Sequence, residues 1–186
     1  MTVIGYVLTG QDNDTFMFEQ DDPAVPRCRV CGYKLDFQAF NPNYRLGKRG
    51  RSWDIAGTYD GQVIVSRRFR DVCMDNDVAG IEFKAFPQEP DFFQAVSTRV
   101  IELDPVASML RLLKQCPSCQ NFESIVGPYR RFRSDGRLPS GFYRSDLVLA
   151  SGDEKGPLLV ASIDVRRLLE DAGLTGLEFS AAEDTR

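Results

Sequence analysis

Cysteines are the residues best placed to do chemistry in this chain. Four of the five fall into two pairs, Cys28-Arg29-Val30-Cys31-Gly32 and Cys116-Pro117-Ser118-Cys119-Gln120. A CxxC turn aims both sulfurs at one point and so supplies half of a tetrahedral metal site. Two such turns complete a four-thiolate shell around Zn²⁺, with sulfurs about 2.3 Å from the ion. Pro117 and Gly32 suit the tight turns, the first by fixing φ and the second by permitting positive φ. Four thiolates leave the site with excess negative charge, and Arg27, Arg29, Lys34 and Lys114 lie close enough in sequence to offset it. A filled shell has no open position, so Cys28, Cys31, Cys116 and Cys119 are expected to hold structural and not catalytic zinc. The pairs stand 84 residues apart, so one ion would tie distant parts of the chain together. Gln120 occupies the place that Gly32 has in the first turn, at a cost of about 1 kcal/mol if that position needs positive φ. Two metal-free pairs, or thioredoxin-like redox chemistry, are the alternatives.

Histidine is absent. That removes Ser-His-Asp triads, Cys-His nucleophiles, histidine general bases and histidine metal ligands. The zinc-deaminase pattern, which needs a His or third Cys beside a Glu, has no match either. Ser66 and Ser162 read as helix caps with no base beside them, and Glu82 and Glu178 alternate with apolar neighbours as on a solvated strand face. A carboxylate pair shared between those two segments is the enzymatic alternative. The expectation is a protein without a catalytic site.

The elements that must position the cysteines show an internal repeat. Residues 62–83 and 158–179 align without a gap at an offset of 96, matching Ser66 with Ser162, Arg70 with Arg166, Gly80 with Gly176, and Glu82-Phe83 with Glu178-Phe179. The CxxC pairs are offset by 88, and Asp54 and Asp146 by 92, as duplication followed by small insertions would give. Each copy predicts strand, helix, strand. Apolar strands over 63–65 and 158–160 run into Ser66 and Ser162, natural N-caps. The helices carry Phe69, Val72 and Cys73 in one copy and Val165, Leu168, Leu169 and Ala172 in the other, at helical spacing. Gly173 suits a left-handed helix end, and Gly80 and Gly176 turn the chain into strands over 81–86 and 177–181. Cys73 aligns with Leu169, which makes the fifth cysteine a small core hydrophobe.

A further helix is predicted over 104–114, capped by Asp104 with Pro105 in its first turn and Val106, Met109, Leu110 and Leu113 on its buried side. Pro87 and Pro90 mark the boundary between two halves, 1–88 and 89–186, each with one CxxC pair, forming one compact body. The expected class is α+β: two related strand-helix-strand halves, mainly antiparallel sheet with short helices, joined near the four-cysteine zinc site.

With 42% hydrophobic and 27% charged residues the 186-residue chain has the composition of a folded domain. Its 23 Lys and Arg against 27 Asp and Glu argue against a globally basic nucleic-acid binder. Residues 1–10 form a short apolar run without preceding basic residues, and no apolar run reaches the length of a membrane span. A cytoplasmic protein with reduced thiols and no membrane association is expected, and an odd cysteine count points the same way.

The motif order CxxCG, an Asp-Ile or Asp-Leu segment, apolar strand, Ser, amphipathic helix, Gly-apolar-Glu-Phe, with a second CxxC downstream, resembles the double-CxxCG motif proteins. These are bacterial immunity proteins of contact-dependent toxin–immunity systems, and the likeness is clearest over residues 116–183. The resemblance implies a non-catalytic inhibitor that binds a cognate protein toxin in the cytoplasm through a complementary surface. The first 26 residues carry five acids, Asp12, Asp14, Glu19, Asp21 and Asp22, and no Lys or Arg. That run is the candidate face for a basic toxin such as a nuclease, with a solvated loop as the plainer alternative.

The rival is a zinc-stabilised nucleic-acid-binding module. Arg45, Lys48, Arg49 and Arg51 with Tyr44 and Trp53, Arg67, Arg68 and Arg70 around Phe69, and Arg130, Arg131, Arg133 and Arg137 with Phe132 interleave cations and rings. Phe69, however, belongs to a helix's apolar stripe, and the other clusters have loop-like glycines and Pro139.

Overall fold

The computed structural model describes residues 2–19 and 22–185. In chain order the elements are β1 (Val3–Thr9), β2 (Gln11–Asp12), β3 (Ile55–Gly57), β4 (Val63–Ser66), α1 (Arg67–Asp75), β5 (Ile81–Phe86), β6 (Glu89–Ser97), β7 (Val100–Leu103), β8 (Arg111–Gln115), β9 (Phe122–Val126), β10 (Arg131–Arg133), β11 (Phe142–Ser151), β12 (Gly156–Ser162), α2 (Ile163–Asp171) and β13 (Glu178–Asp184). The fold is mixed, mostly strand with two short helices, and most strand pairs are antiparallel.

Strands β12, β1, β13, β10, β7 and β11 hydrogen-bond in that order, and β11 pairs back onto β12 to close a barrel. Closure satisfies every strand edge in the ring. Ile4, Val7, Ile101, Leu103, Phe132, Tyr143, Val160 and Ala182 are among the residues of its core. A register shift between Val3 and Gly5 lets Ile4 and Val7 share that core despite their odd spacing. The far end of β11 continues into β9, and β8 flanks β9, so this hairpin projects from the barrel.

Outside the barrel lies a five-stranded sheet, β2-β3-β4-β6-β5. The two helices are packed between them. Ser66 Oγ accepts from Phe69 N at 3.1 Å and Ser162 Oγ from Val165 N at 3.4 Å, the expected caps. The helical stripes meet in one core, where Phe69 and Cys73 of α1 and Val165 and Leu169 of α2 join Val65, Phe93, Phe142 and Ala161. Cys73 is buried there and its thiol is pushed up to about 12 by desolvation, as befits a core residue. On the sheet's other face Met17, Phe18, Val25, Ala39, Tyr44 and Leu46 cover Ile64 and Phe86. This long segment has little regular structure, and buried Asp60 fixes it by accepting from Met17 N at 2.8 Å and Phe18 N at 3.2 Å.

The two strand-helix-strand segments occupy matching places. The orders β3-β4-β6-β5 and β11-β12-β1-β13 are equivalent, with β1 in the second set where β6 lies in the first. Ile55 pairs with Val65 and Phe142 with Ala161. Ser66 N donates to Asp54 O at 2.9 Å and Ser162 N to Gly141 O at 3.0 Å. The contacts between units are reciprocal: Asp54 N donates to Thr175 O at 3.1 Å, and Phe142 N to Ala79 O at 2.9 Å. This corrects the sequence alignment of Asp54 with Asp146. Gly141 fills the place of Asp54, while Asp146 accepts from Leu103 N at 2.8 Å.

The predicted helix over 104–114 is also corrected. Asp104 does cap, accepting from Val106 N at 3.0 Å and Ala107 N at 2.9 Å, but only one turn follows. Met109 has φ 51°, and the chain then pairs as β8 against β9. Val106 and Met109, expected inside, are 82% and 74% exposed. The 88/89 boundary falls in the turn of the β5–β6 hairpin, whose strands pair with one another, and β1 lies in the barrel among strands of residues 100–184.

Gly80 and Gly176 start β5 and β13 from φ 79° and 81°. A Cβ on Gly80 would run into Phe142 O, and one on Gly176 would sit 2.7 Å from Ile55 O. Gly80→Ala and Gly176→Ala are each expected to cost at least about 1–2 kcal/mol from the left-handed backbone alone, read as a lower urea midpoint at unchanged m-value.

Candidate metal centre

Each CxxC sits at the tip of a two-stranded turn, and the two tips have the same hydrogen bonding. Arg27 and Lys34 bridge across the first, and Gln115 and Phe122 pair across the second. Cys28 N donates to Tyr33 O at 2.9 Å and Gly32 N to Cys28 O at 2.8 Å. Cys116 N donates to Asn121 O at 2.8 Å and Gln120 N to Cys116 O at 2.9 Å. Gly32 has φ 75°, and Gln120 adopts the same left-handed backbone at φ 61°. Two side-chain bonds support that conformation: Gln120 Nε2 donates to Pro117 O at 2.8 Å and Gln115 Nε2 to Gln120 O at 3.1 Å.

The fold brings the two tips face to face. Cys28 Sγ lies 3.9 Å from Cys116 Sγ and Cys31 Sγ 3.6 Å from Cys119 Sγ, and all four sulfurs lie within 4.8 Å of one another. Sulfurs about 2.3 Å from a central ion at tetrahedral angles stand roughly 3.8 Å apart. The four cysteines are free thiols with the spacing of a metal shell, and they could hold a metal ion. Asn121 Nδ2 donates to Lys34 O at 3.2 Å and ties one tip to the other.

Backbone amides prepare half of the shell for a cation. Those of Cys31 and Val30 point at Cys28 and hold its thiol down to about 6, and those of Cys119 and Ser118 lower Cys116. Desolvation raises Cys31, to about 12, and Cys119. An ion bound here must displace those protons, so its affinity falls as the pH falls.

The basic residues expected to balance the sulfurs are largely engaged elsewhere. Arg27 makes a bidentate pair with Asp153 at 2.8 and 2.9 Å and also donates to Gly32 O. Lys114 pairs with Glu123 at 2.7 Å, Arg29 is exposed, and buried Lys34 lies 4.0 Å from Asp60 Oδ2. The cation beside the sulfurs that sequence reading missed is Lys155, which no motif marks.

The expected acidic face is brought together in part. Asp12 accepts from Asp14 N at 2.8 Å, and Asp14 lies 3.4 Å from Arg49 Nη1 and from Tyr59 OH. Glu19 is exposed, Asp22 accepts from Ala24 N at 2.8 Å, and Asp21 lies outside the described residues. An unforeseen partner of Asp14, Tyr59, is aromatic. Phe16 and Tyr59, 45% and 42% exposed, pack ring to ring at 5.2 Å. Phe16 also lines a shallow pocket of about 390 Å³ with Ser151, Gly152, Asp153 and Glu154.

Most arginines of the three basic clusters are committed within the chain. Arg51 pairs with Glu89, Arg67 with Asp91, Arg68 with Asp54, Arg70 with Asp71, Arg131 with Glu183, Arg133 with Glu102 and Asp104, and Arg137 with Asp164. Phe69 and Phe132, candidates for base stacking, are fully buried. Among the described residues no helix is long and apolar enough to cross a membrane.

No protein-family model matches the chain, and no curated protein matches it either. The likeness to the double-CxxCG proteins rests on the motifs and their order.

Cys116→Ser is expected to abolish stoichiometric metal binding and, because binding energy at a structural site is folding energy, to lower stability by several kcal/mol, on the order of 3 or more. Elemental analysis and urea denaturation read the two effects. Cys73→Ser is expected to weaken the core while leaving the metal content intact.

Proposed function

We propose that the chain is a non-catalytic immunity protein of the cytoplasm, folded around structural zinc and acting by covering a cognate basic toxin. Two all-cysteine turns converging at tetrahedral spacing support zinc, which takes four thiolates in closed structural sites. The order of motifs supports the immunity role, and the matched placement of the two strand-helix-strand units supports their origin by duplication.

The observation that carries the binding role is the exposed Phe16–Tyr59 pair with carboxylates at its border. Asp12 and Asp14 act on the Tyr59 hydroxyl and help to raise its pKa, after desolvation, while Asp153 and Glu154 share the pocket beneath Phe16. Aromatic rings supply contact area at low entropic cost, and a Lys or Arg from a partner gains both a ring face and a carboxylate. A toxin that grips phosphate presents such side chains where its substrate binds, so covering them blocks it. The commitment of the arginine clusters to internal carboxylates weighs against the nucleic-acid alternative.

The test is association with the product of the adjacent reading frame and rescue of cells that express it. The double variant Asp12→Arg, Asp14→Arg is expected to slow association about 10–100-fold at low salt, measured by stopped flow, and to lose protection while remaining folded. Undiminished association and protection would reject this face as the docking surface.

A further inference from the structure

We infer that Lys155 is the built-in countercharge of the four-cysteine site, an inference that rests on reading those cysteines as zinc ligands. Lys155 is fully buried. Its ammonium has three N–H donors, and the hydrogen bond that the structure gives it is to Phe122 O at 2.5 Å. Otherwise it faces rings, 4.5 Å from the Tyr33 centroid and 5.8 Å from that of Phe37. Lys34, also buried, is different, because it has Asp60 as a counter-ion. A buried ammonium needs an opposite charge. Asp153 is near enough to act on Lys155 but is already held in the bidentate Arg27 pair.

Both cysteine turns contribute a neighbour of the ammonium. Tyr33 follows Cys31-Gly32, and its carbonyl accepts from Cys28 N. Phe122 pairs with Gln115 across the base of the second turn. Desolvation lowers the pKa of Lys155, and the leading opposing fields come from Cys31 and Cys119, the partly exposed sulfurs. Next to Lys155 the backbone is tightly packed, because Gly61 and Gly156 meet back to back: a Cβ on Gly156 would lie 2.7 Å from Gly61 O. Four thiolates around a divalent ion carry a formal double negative charge, and one buried ammonium halves it. The lysine therefore favours the loaded state, whereas in the stripped protein it is a buried charge without the metal–thiolate centre to offset.

The test measures zinc affinity of the full chain by competition with a chromophoric chelator, for the wild type, Lys155→Gln, Lys155→Met and the exposed control Lys114→Met. Glutamine can keep the bond to Phe122 O without the charge. Both Lys155 variants are expected to bind zinc about 10–100-fold more weakly, the control to be unchanged, and stripped Lys155→Met to resist urea at least as well as the stripped wild type. Unchanged zinc affinity in a folded Lys155 variant overturns the inference. So does a variant whose stripped form is destabilised in step with its zinc affinity, the mark of a packing role alone. A wild type that takes up no zinc overturns the metal reading and this inference with it.

Discussion

Four sulfurs held within 4.8 Å of one another are the constraint on which the rest of the structure hangs. One pair belongs to the long irregular segment that covers the five-stranded sheet, the other to the hairpin projecting from the barrel. Sulfurs carrying charge at this spacing in a medium of low dielectric repel one another unless a cation joins them, so the surroundings must either keep them protonated or supply positive charge. Desolvation does the first at Cys31 and Cys119, and amides at Cys28 and Cys116 with the ammonium of Lys155 do the second. The entropic cost of closing a loop rises only slowly with its length. An ion bound across 84 residues would therefore order a large part of the chain for little more than a local clasp would cost.

The two strand-helix-strand units answer a different requirement, the burial of two amphipathic helices. Each helix has an apolar stripe on one side only, and the stripes face one another between barrel and sheet. The reciprocal bonds from Asp54 N to Thr175 O and from Phe142 N to Ala79 O lock each unit's first strand to the other unit's glycine turn. Neither unit's helix core is complete without the other. The acidic, aromatic surface joins Phe16 of the irregular segment to Tyr59 of the β3–β4 turn, so its shape depends in part on the same scaffold that orders the first cysteine turn.

Local physics was legible in the sequence where one residue decides one feature. Ser66 and Ser162 cap, Gly80, Gly173 and Gly176 turn left-handed, Cys73 is buried, and the four paired cysteines meet. Long-range pairing was not legible. Val106, Met109, Leu110 and Leu113 have a spacing that suits a helix, but the pairing of 111–115 with β9 outweighed it, and short apolar runs are ambiguous in this way. Closure of the barrel depends on β1 meeting β12 and β13, for which no local signal exists. Lys155 stands in a Gly-Asp-Glu-Lys-Gly stretch with no motif or periodicity to mark it, and its burial follows from tertiary packing alone. Gln120 looked like a defect in the second turn, yet its own side chain repairs the strain.

The place of β1 in the barrel has a kinetic consequence. Its residues, 3–9, find their hydrogen-bonding neighbours at 159–162 and 178–183. β1 must therefore wait for strands far down the chain, while the local β5–β6 hairpin can form at once. Such distant pairing slows folding and leaves apolar strand edges open to wrong partners meanwhile. The unclosed chain is thus the vulnerable form of this molecule, and its barrel is sealed only when β13 slides in beside β1.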